Sequence, residues 1–162
     1  MSGGQLTGAP IRRAGANDLE AIWELSCDME AKRLDLARFE AIYLELLDDP
    51  AHVFLAAEGE LGNVDGFIHL RMEPQLHHTG LVAEVMELAV AEGARNHGVG
   101  ARLLHAAEDV ARQRGCLQIE VACNQLRHRA HAFYEREGLH NFHYKFSRPL
   151  TGEDSPENAL GH

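Results

Sequence analysis

The stretch "ELAVAEGARNHGVGARLL", Glu87 to Leu104, holds the residues best suited to chemistry. Gly98-Val99-Gly100 stands between an apolar run and a helical pattern, with Arg95 and His97 just upstream. A glycine-rich turn feeding a helix is the physical recipe for an anion site. The first backbone N–H groups lack intrahelical partners, the helix dipole is positive there, and glycine lets a ligand approach the backbone. Two carboxylates, Glu84 and Glu87, interrupt the preceding apolar run "LVAEVMELAV". A carboxylate on an apolar strand is costly unless it is paired or used, so both are candidates for a general base. On an ideal strand they have opposite parity and face different sides unless a bulge intervenes.

Three phosphate motifs compete for the turn. The Walker pattern fails because no Gly-Lys-Ser/Thr follows. The dinucleotide fingerprint lacks its third glycine, since Leu103 stands there, and its repeated βαβ units are absent, although Glu120 lies at a fitting distance downstream. The pattern Arg/Gln-x-x-Gly-x-Gly/Ala is matched in full by Arg95-Asn96-His97-Gly98-Val99-Gly100. An ordinary strand-to-helix turn would look similar.

These residues need a scaffold, and the hydrophobic pattern supplies one. Ile11–Ala14 reads as a short strand, followed by a helix from Asn17 or Asp18 to about Glu30 and another from about Leu36 to Leu47. "AHVFLAAE" and "VDGFIHLRME" read as a hairpin, and "LVAEVMELAV" as a third strand beside it. An amphipathic helix runs from about Gly98 to Arg114 and stops at Gly115. "CLQIEVAC" reads as a strand, "RHRAHAFYEREG" as a helix closed by Gly138, and "HNFHYKFSRPL" as a last strand with alternating aromatics. The order is β-αα-βββ-α-β-α-β, an α/β (or α+β) domain with a mixed sheet over residues 11–150. Residues 1–10 read as a flexible tail and 151–162 as a polar one.

Composition narrows the function. At 162 residues, 45% hydrophobic and 25% charged, the chain has the profile of a soluble globular domain. A formal net charge of −10 argues against nucleic acid and suits a cationic substrate such as an amine. No apolar run is long enough to span a bilayer, and the N-terminus lacks the features of a secretory signal. Cys27, Cys116 and Cys123 form no metal-knuckle spacing and read as small hydrophobes, which fits a reducing cytoplasm.

The turn motif and the downstream "RAHAFYEREGL", with the strands around them, resemble the GNAT (Gcn5-related N-acetyltransferase) superfamily. The element order resembles that fold too, a mixed, mostly antiparallel sheet flanked by helices. The "LHH" before the central strand, the "E-x-x-EL-x-V" in it and the "AH-x-FY-x-REG" helix look like aminoalkylphosphonate N-acetyltransferases. The resemblance implies an acetyl-CoA co-substrate and a small primary amine as acceptor. Other acceptors remain open: an aminoglycoside, a polyamine or a protein amine, as does a silent CoA-binding module.

By the same resemblance, pantetheine runs beside Leu88-Ala89-Val90, which on their own read as a core strand. The pyrophosphate lies on amides from Asn96 through His97, Gly98, Val99 and Gly100 to Ala101, with Arg95 adding a side chain. Tyr134 takes the position of the family's general acid, or is a core aromatic. Glu84 takes the position of the base and is favoured over Glu87, directly or through a water, with a backbone N–H near Leu88 as oxyanion donor. Arg127 stands where many relatives carry Asn, and Asn124 is the candidate to replace that cofactor contact. For the acceptor the candidates are Lys32, Arg33, Arg71, His77 and His78. His77 and His78, with His69 upstream, could bind a divalent metal or hydrogen-bond an anionic acceptor group; solvated loop histidines are the favoured alternative. A homodimer is common among such enzymes.

Overall fold

In a computed structural model of the chain, residues 10–151 are described. The two tails lie outside them except for their inner ends. The described residues group into two compact units, one through Val121 and one from Ala122.

The first unit is built on strands β1 (Ile11–Arg13), β2 (His52–Glu58), β3 (Val64–Gln75), β4 (Gly80–Val90) and β5 (Ile119–Val121), with helices α1 (Leu19–Glu30), α2 (Leu36–Leu47) and α3 (Val99–Gln113). The strands lie in sequence order across one sheet. Neighbours are antiparallel from β1 to β4, and β5 joins β4 in parallel. Val53 to Ala57 are buried without a break, so β2 is covered on both faces, as its unalternating apolar run requires.

Helices cover each face. On one, Ile22 and Leu25 of α1 and Tyr43 of α2 pack with Phe54, Phe67 and Ala89 of the sheet. The Tyr43 hydroxyl donates to the Gly15 carbonyl at 2.7 Å, so the ring is buried without an orphaned donor. α2 starts where the Asp35 carboxylate accepts the Arg38 N–H at 2.8 Å, an ordinary N-cap. On the other face, α3 buries Val99, Leu103, Leu104, Ala107 and Ala111, one stripe at helical spacing.

Gly66 sets how closely α3 approaches. A Cβ there would stand 2.8 Å from the Ala89 carbonyl oxygen, 3.2 Å from a Leu103 methyl and 3.3 Å from a Val99 methyl. Gly66→Ala is therefore expected to destabilise the fold by about 1–3 kcal/mol, the usual cost of overpacking. A urea-unfolding midpoint equal to that of the wild type would show that the contact has slack.

In the second unit, α4 (His128–Arg136) begins after a turn in which the Asn124 side-chain oxygen accepts the Leu126 N–H at 2.9 Å. It ends at Gly138, whose φ of 90° lies in the left-handed region, with the Leu139 N–H bonding back to the Tyr134 carbonyl at 2.9 Å.

Two expectations change. "HNFHYKFSRPL" forms no strand: residues 140–150 have no regular structure, and Phe142, Tyr144 and Phe146 are 78%, 80% and 92% exposed. Alternation specifies a face, but a strand also needs a ladder partner for its backbone groups. "CLQIEVAC" shortens to Ile119–Val121, which leaves Cys116 and Cys123 half-buried beyond its ends, while Cys27 is buried; all three are free. Among the described residues, no helix is long and apolar enough to cross a membrane.

Candidate active site

The β3–β4 hairpin places both carboxylates. Arg71 pairs with Glu84 and Leu70 with Val85, but His69 pairs with Glu87. Met86 is the extra residue of a β-bulge, and it resets the parity of β4. Glu84 and Glu87 therefore project from the same face, opposite Arg71 and His69, on the side covered by α1 and α2.

Their environments differ. The Glu84 carboxylate accepts from the Arg71 guanidinium at 2.7 Å, with Glu73 at 3.5 Å on the same nitrogen. The Nε of Arg71 is buried and has no hydrogen-bond partner among the described residues. Glu87 Oε2 lies 2.5 Å from His69 Nδ1, and His69 Nε2 lies 2.8 Å from His52 Nδ1. His69 is buried, and its ring stacks on Phe54 with centroids 4.1 Å apart and planes 12° from parallel. Burial lowers the His52 imidazole below its ordinary pKa, with His69 adding to the fall and Asp49 opposing it. Glu87 remains 37% exposed, so its carboxylate is reachable from outside.

The end of β4 is open on one edge. Pairing with β3 continues to Val90, whereas pairing with β5 stops at Val85 opposite Val121. On that side the backbone around Leu88, Ala89 and Val90 meets no strand of the sheet. The chain then passes through a short turn, Glu92–Ala94, to Arg95, whose Nε donates to the Val90 carbonyl at 3.3 Å. Asn96 and Gly98 have φ of 66° and 77°, so the chain reverses sharply before Val99 opens α3. No side chain caps this helix, and the first backbone N–H to bond back to the cap carbonyl of Gly98 is that of Arg102. The amides of Val99, Gly100 and Ala101 are the free donors of the first turn. Arg95, Asn96, His97 and Gly98 are exposed around them.

The acceptor candidates do not gather in one place. Arg33 is held by Glu24 at 2.8 Å and lies over the Trp23 ring, and Lys32 is exposed beside it. His77 and His78 sit in the turn between β3 and β4, their centroids 4.2 Å apart, with His78 Nδ1 2.7 Å from the Gln75 side-chain oxygen. Among the described residues, no three His, Cys, Asp or Glu side chains are grouped to hold a metal ion, so the metal reading of His77 and His78 has no support. Arg71 alone of the five stands beside the carboxylates.

In the second unit, burial raises the Tyr134 hydroxyl to about 12, with the Cys123 thiol adding to the rise and Arg127 opposing it. The phenol therefore stays protonated through the neutral range. The Asn124 side-chain oxygen is committed to its own turn and its carbonyl accepts from His131 Nε2 at 2.8 Å.

His52 carries no chemical signal in the sequence, and His69 stands out there only as an upstream neighbour of His77 and His78; in the structure it bonds to Glu87 and His52. The bulge at Met86 joins His69 to Glu87, and only the hairpin register reveals it.

The comparisons agree with this architecture. The model of the acetyltransferase (GNAT) family matches residues 18–139. An aminoalkylphosphonate N-acetyltransferase from Salmonella typhimurium is 36% identical over 141 residues, covering 86% of this chain and 90% of that protein. Two solved structures share the fold. A transcriptional regulator from Bacillus halodurans C-125 has a TM-score of 0.81 at 23% identity, covering 88% of this chain and 99% of its own. Glucosamine-6-phosphate N-acetyltransferase from Arabidopsis thaliana has a TM-score of 0.75 at 19% identity, covering 87% of this chain and 97% of its own. A strand edge left open beside an uncapped helix start, and a family match spanning both, lead to one conclusion: the chain belongs to the GNAT acetyltransferase family.

Proposed function

We propose that this acetyltransferase moves the acetyl group of acetyl-CoA to the primary amine of a small molecule that carries an anionic group, of the aminoalkylphosphonate class. The observation that carries the reading is a reachable carboxylate and an unpaired backbone edge on the same strand, β4. Glu87 projects from the strand whose last residues, Leu88 to Val90, offer an unpaired edge. By the family resemblance, that edge would hold the pantetheine arm, and the amides of Val99, Gly100 and Ala101, flanked by Arg95, Asn96 and His97, would hold the pyrophosphate.

The steps follow from the residues. Glu87 takes a proton from the acceptor ammonium, and the freed amine attacks the thioester carbon. A backbone N–H near Leu88 stabilises the oxygen as charge builds there. The C–S bond breaks, and Tyr134, assigned by resemblance and kept protonated by its burial, gives its proton to the departing thiolate. The base assignment moves from Glu84 to Glu87 because the Glu84 carboxylate is closed by a guanidinium, which cannot accept a proton and pass it on. Arg71, about two strand residues from Glu87 and with its side chain one-third exposed, is a cation on this face that supports an anionic acceptor.

Thiol release from acetyl-CoA with a panel of amines tests the reading. Activity on 2-aminoethylphosphonate above that on polyamines or aminoglycosides is expected. The reverse ranking would remove the anionic acceptor. Tyr134→Phe is expected to lower kcat about 100-fold with little change in the Kd for acetyl-CoA, the size of one general-acid contribution. An unchanged kcat would remove Tyr134 from the mechanism.

A further inference from the structure

The hydrogen-bonded array behind Glu87 has no role in those steps. It runs through three strands: Glu87 on β4, His69 on β3 and His52 on β2, joined at 2.5 Å and 2.8 Å. We propose that His69 and His52 are positioning residues for the base, His69 fixing the Glu87 carboxylate from behind and His52 fixing the tautomer of His69. The proposal rests on Glu87 being the base in the reading above.

Hydrogen-bond chemistry sets the direction of the array. A carboxylate only accepts, so the His69 nitrogen facing it, Nδ1, carries the proton. The other nitrogen of a neutral ring then accepts, and His69 Nε2 takes the Nδ1–H of His52. Both N–H groups thus point toward Glu87. One carboxylate oxygen is occupied from behind, and the other is left to meet the substrate ammonium. The outer end, His52 Nε2, faces Asp49 Oδ2 at 4.0 Å, beyond hydrogen-bond distance. The charged or titratable groups acting on His52 are His69, Asp49, Arg71 and Glu87.

Packing makes the arrangement rigid. His69 is 4% exposed, and Phe54 holds its ring plane by stacking at 4.1 Å. Without an aligned donor behind it, a carboxylate on an exposed three-bond stem rotates among several rotamers. With one, it is preorganised, as catalytic geometry demands. A histidine pair placed only to fill the core would not need two aligned ring-to-acceptor contacts ending on the reachable carboxylate.

Nitrogen-15 spectra of the histidine rings test the array directly, on the full chain at neutral pH without substrate. The expected result is His69 as the Nδ1–H tautomer, with His52→Ala converting it to a tautomer mixture. His69 found as the Nε2–H tautomer would overturn the proposal. Kinetics with acetyl-CoA and 2-aminoethylphosphonate supply the second arm. His69→Phe, which preserves ring stacking, is expected to lower kcat about 10–100-fold while KM for acetyl-CoA stays constant. His69→Asn, which restores an N–H near the Nδ1 position, is expected to recover most of that loss. Wild-type kcat in His69→Phe would also overturn the proposal. Should the wild-type protein acetylate no amine, the proposed function fails, and the ring spectra still decide the array by themselves.

Discussion

Replacing Gly98 with glutamate is expected to raise the Kd for acetyl-CoA at least about 100-fold, to be read by calorimetry or by the loss of a ligand-induced rise in Tm. Two effects add. Gly98 has a φ of 77°, where a side chain strains the backbone and tilts the first turn of α3. The new carboxylate would also stand at an uncapped helix start whose amides are the proposed pyrophosphate donors, where it would compete for the N–H groups and repel the phosphates. Losing two charge-assisted hydrogen bonds at about 1.5–3 kcal/mol each gives at least that factor. A Cβ on Gly98 meets nothing within 4 Å, so the folded protein has room for the change. A Kd within a few-fold of the wild type would place the pyrophosphate elsewhere.

Replacing Glu87 with glutamine is expected to lower kcat by about 100- to 10,000-fold at neutral pH, the range of a positioned general base, and to leave acetyl-CoA binding intact. The amide keeps the size and polarity of the carboxylate and can still accept from His69 through its oxygen, so the loss reports proton abstraction and not misfolding. The same change at Glu84 acts differently. It strips the carboxylate from Arg71, whose guanidinium is only one-third exposed, and its expected effect is on acceptor KM. If Glu84→Gln abolishes turnover and Glu87→Gln does not, the assignments exchange.

Much of this scaffold was legible in the sequence, for reasons particular to its elements. Leu36–Leu47 and Val99–Gln113 carry strong helical stripes with clear stops at "DDP" and Gly115, and both appear within a residue of the reading. The Arg95–Gly100 pattern located the helix start because its chemistry is local. What stayed hidden depends on partners distant in sequence. The bulge at Met86 has no signature in "LVAEVMELAV", so the sequence leaves Glu84 and Glu87 facing apart unless a bulge intervenes, and the hairpin register supplies the bulge that turns them the same way. His52 looked like the start of an ordinary strand, and its tie to His69 exists only through the β2–β3 register. The aromatic alternation of Phe142, Tyr144 and Phe146 had a clear period and still gave no strand, because period alone does not supply a ladder.

The central claim is acetyl transfer from acetyl-CoA to an anionic small amine with Glu87 as base. Incubating the purified protein with acetyl-CoA and 2-aminoethylphosphonate, and following both thiol and N-acetylated product by mass, tests it most directly. Equal molar amounts of coenzyme A thiol and acetylated amine are expected from the wild type, and almost none from Glu87→Gln. Thiol release without acetylated amine, or the same product yield from both proteins, would contradict it.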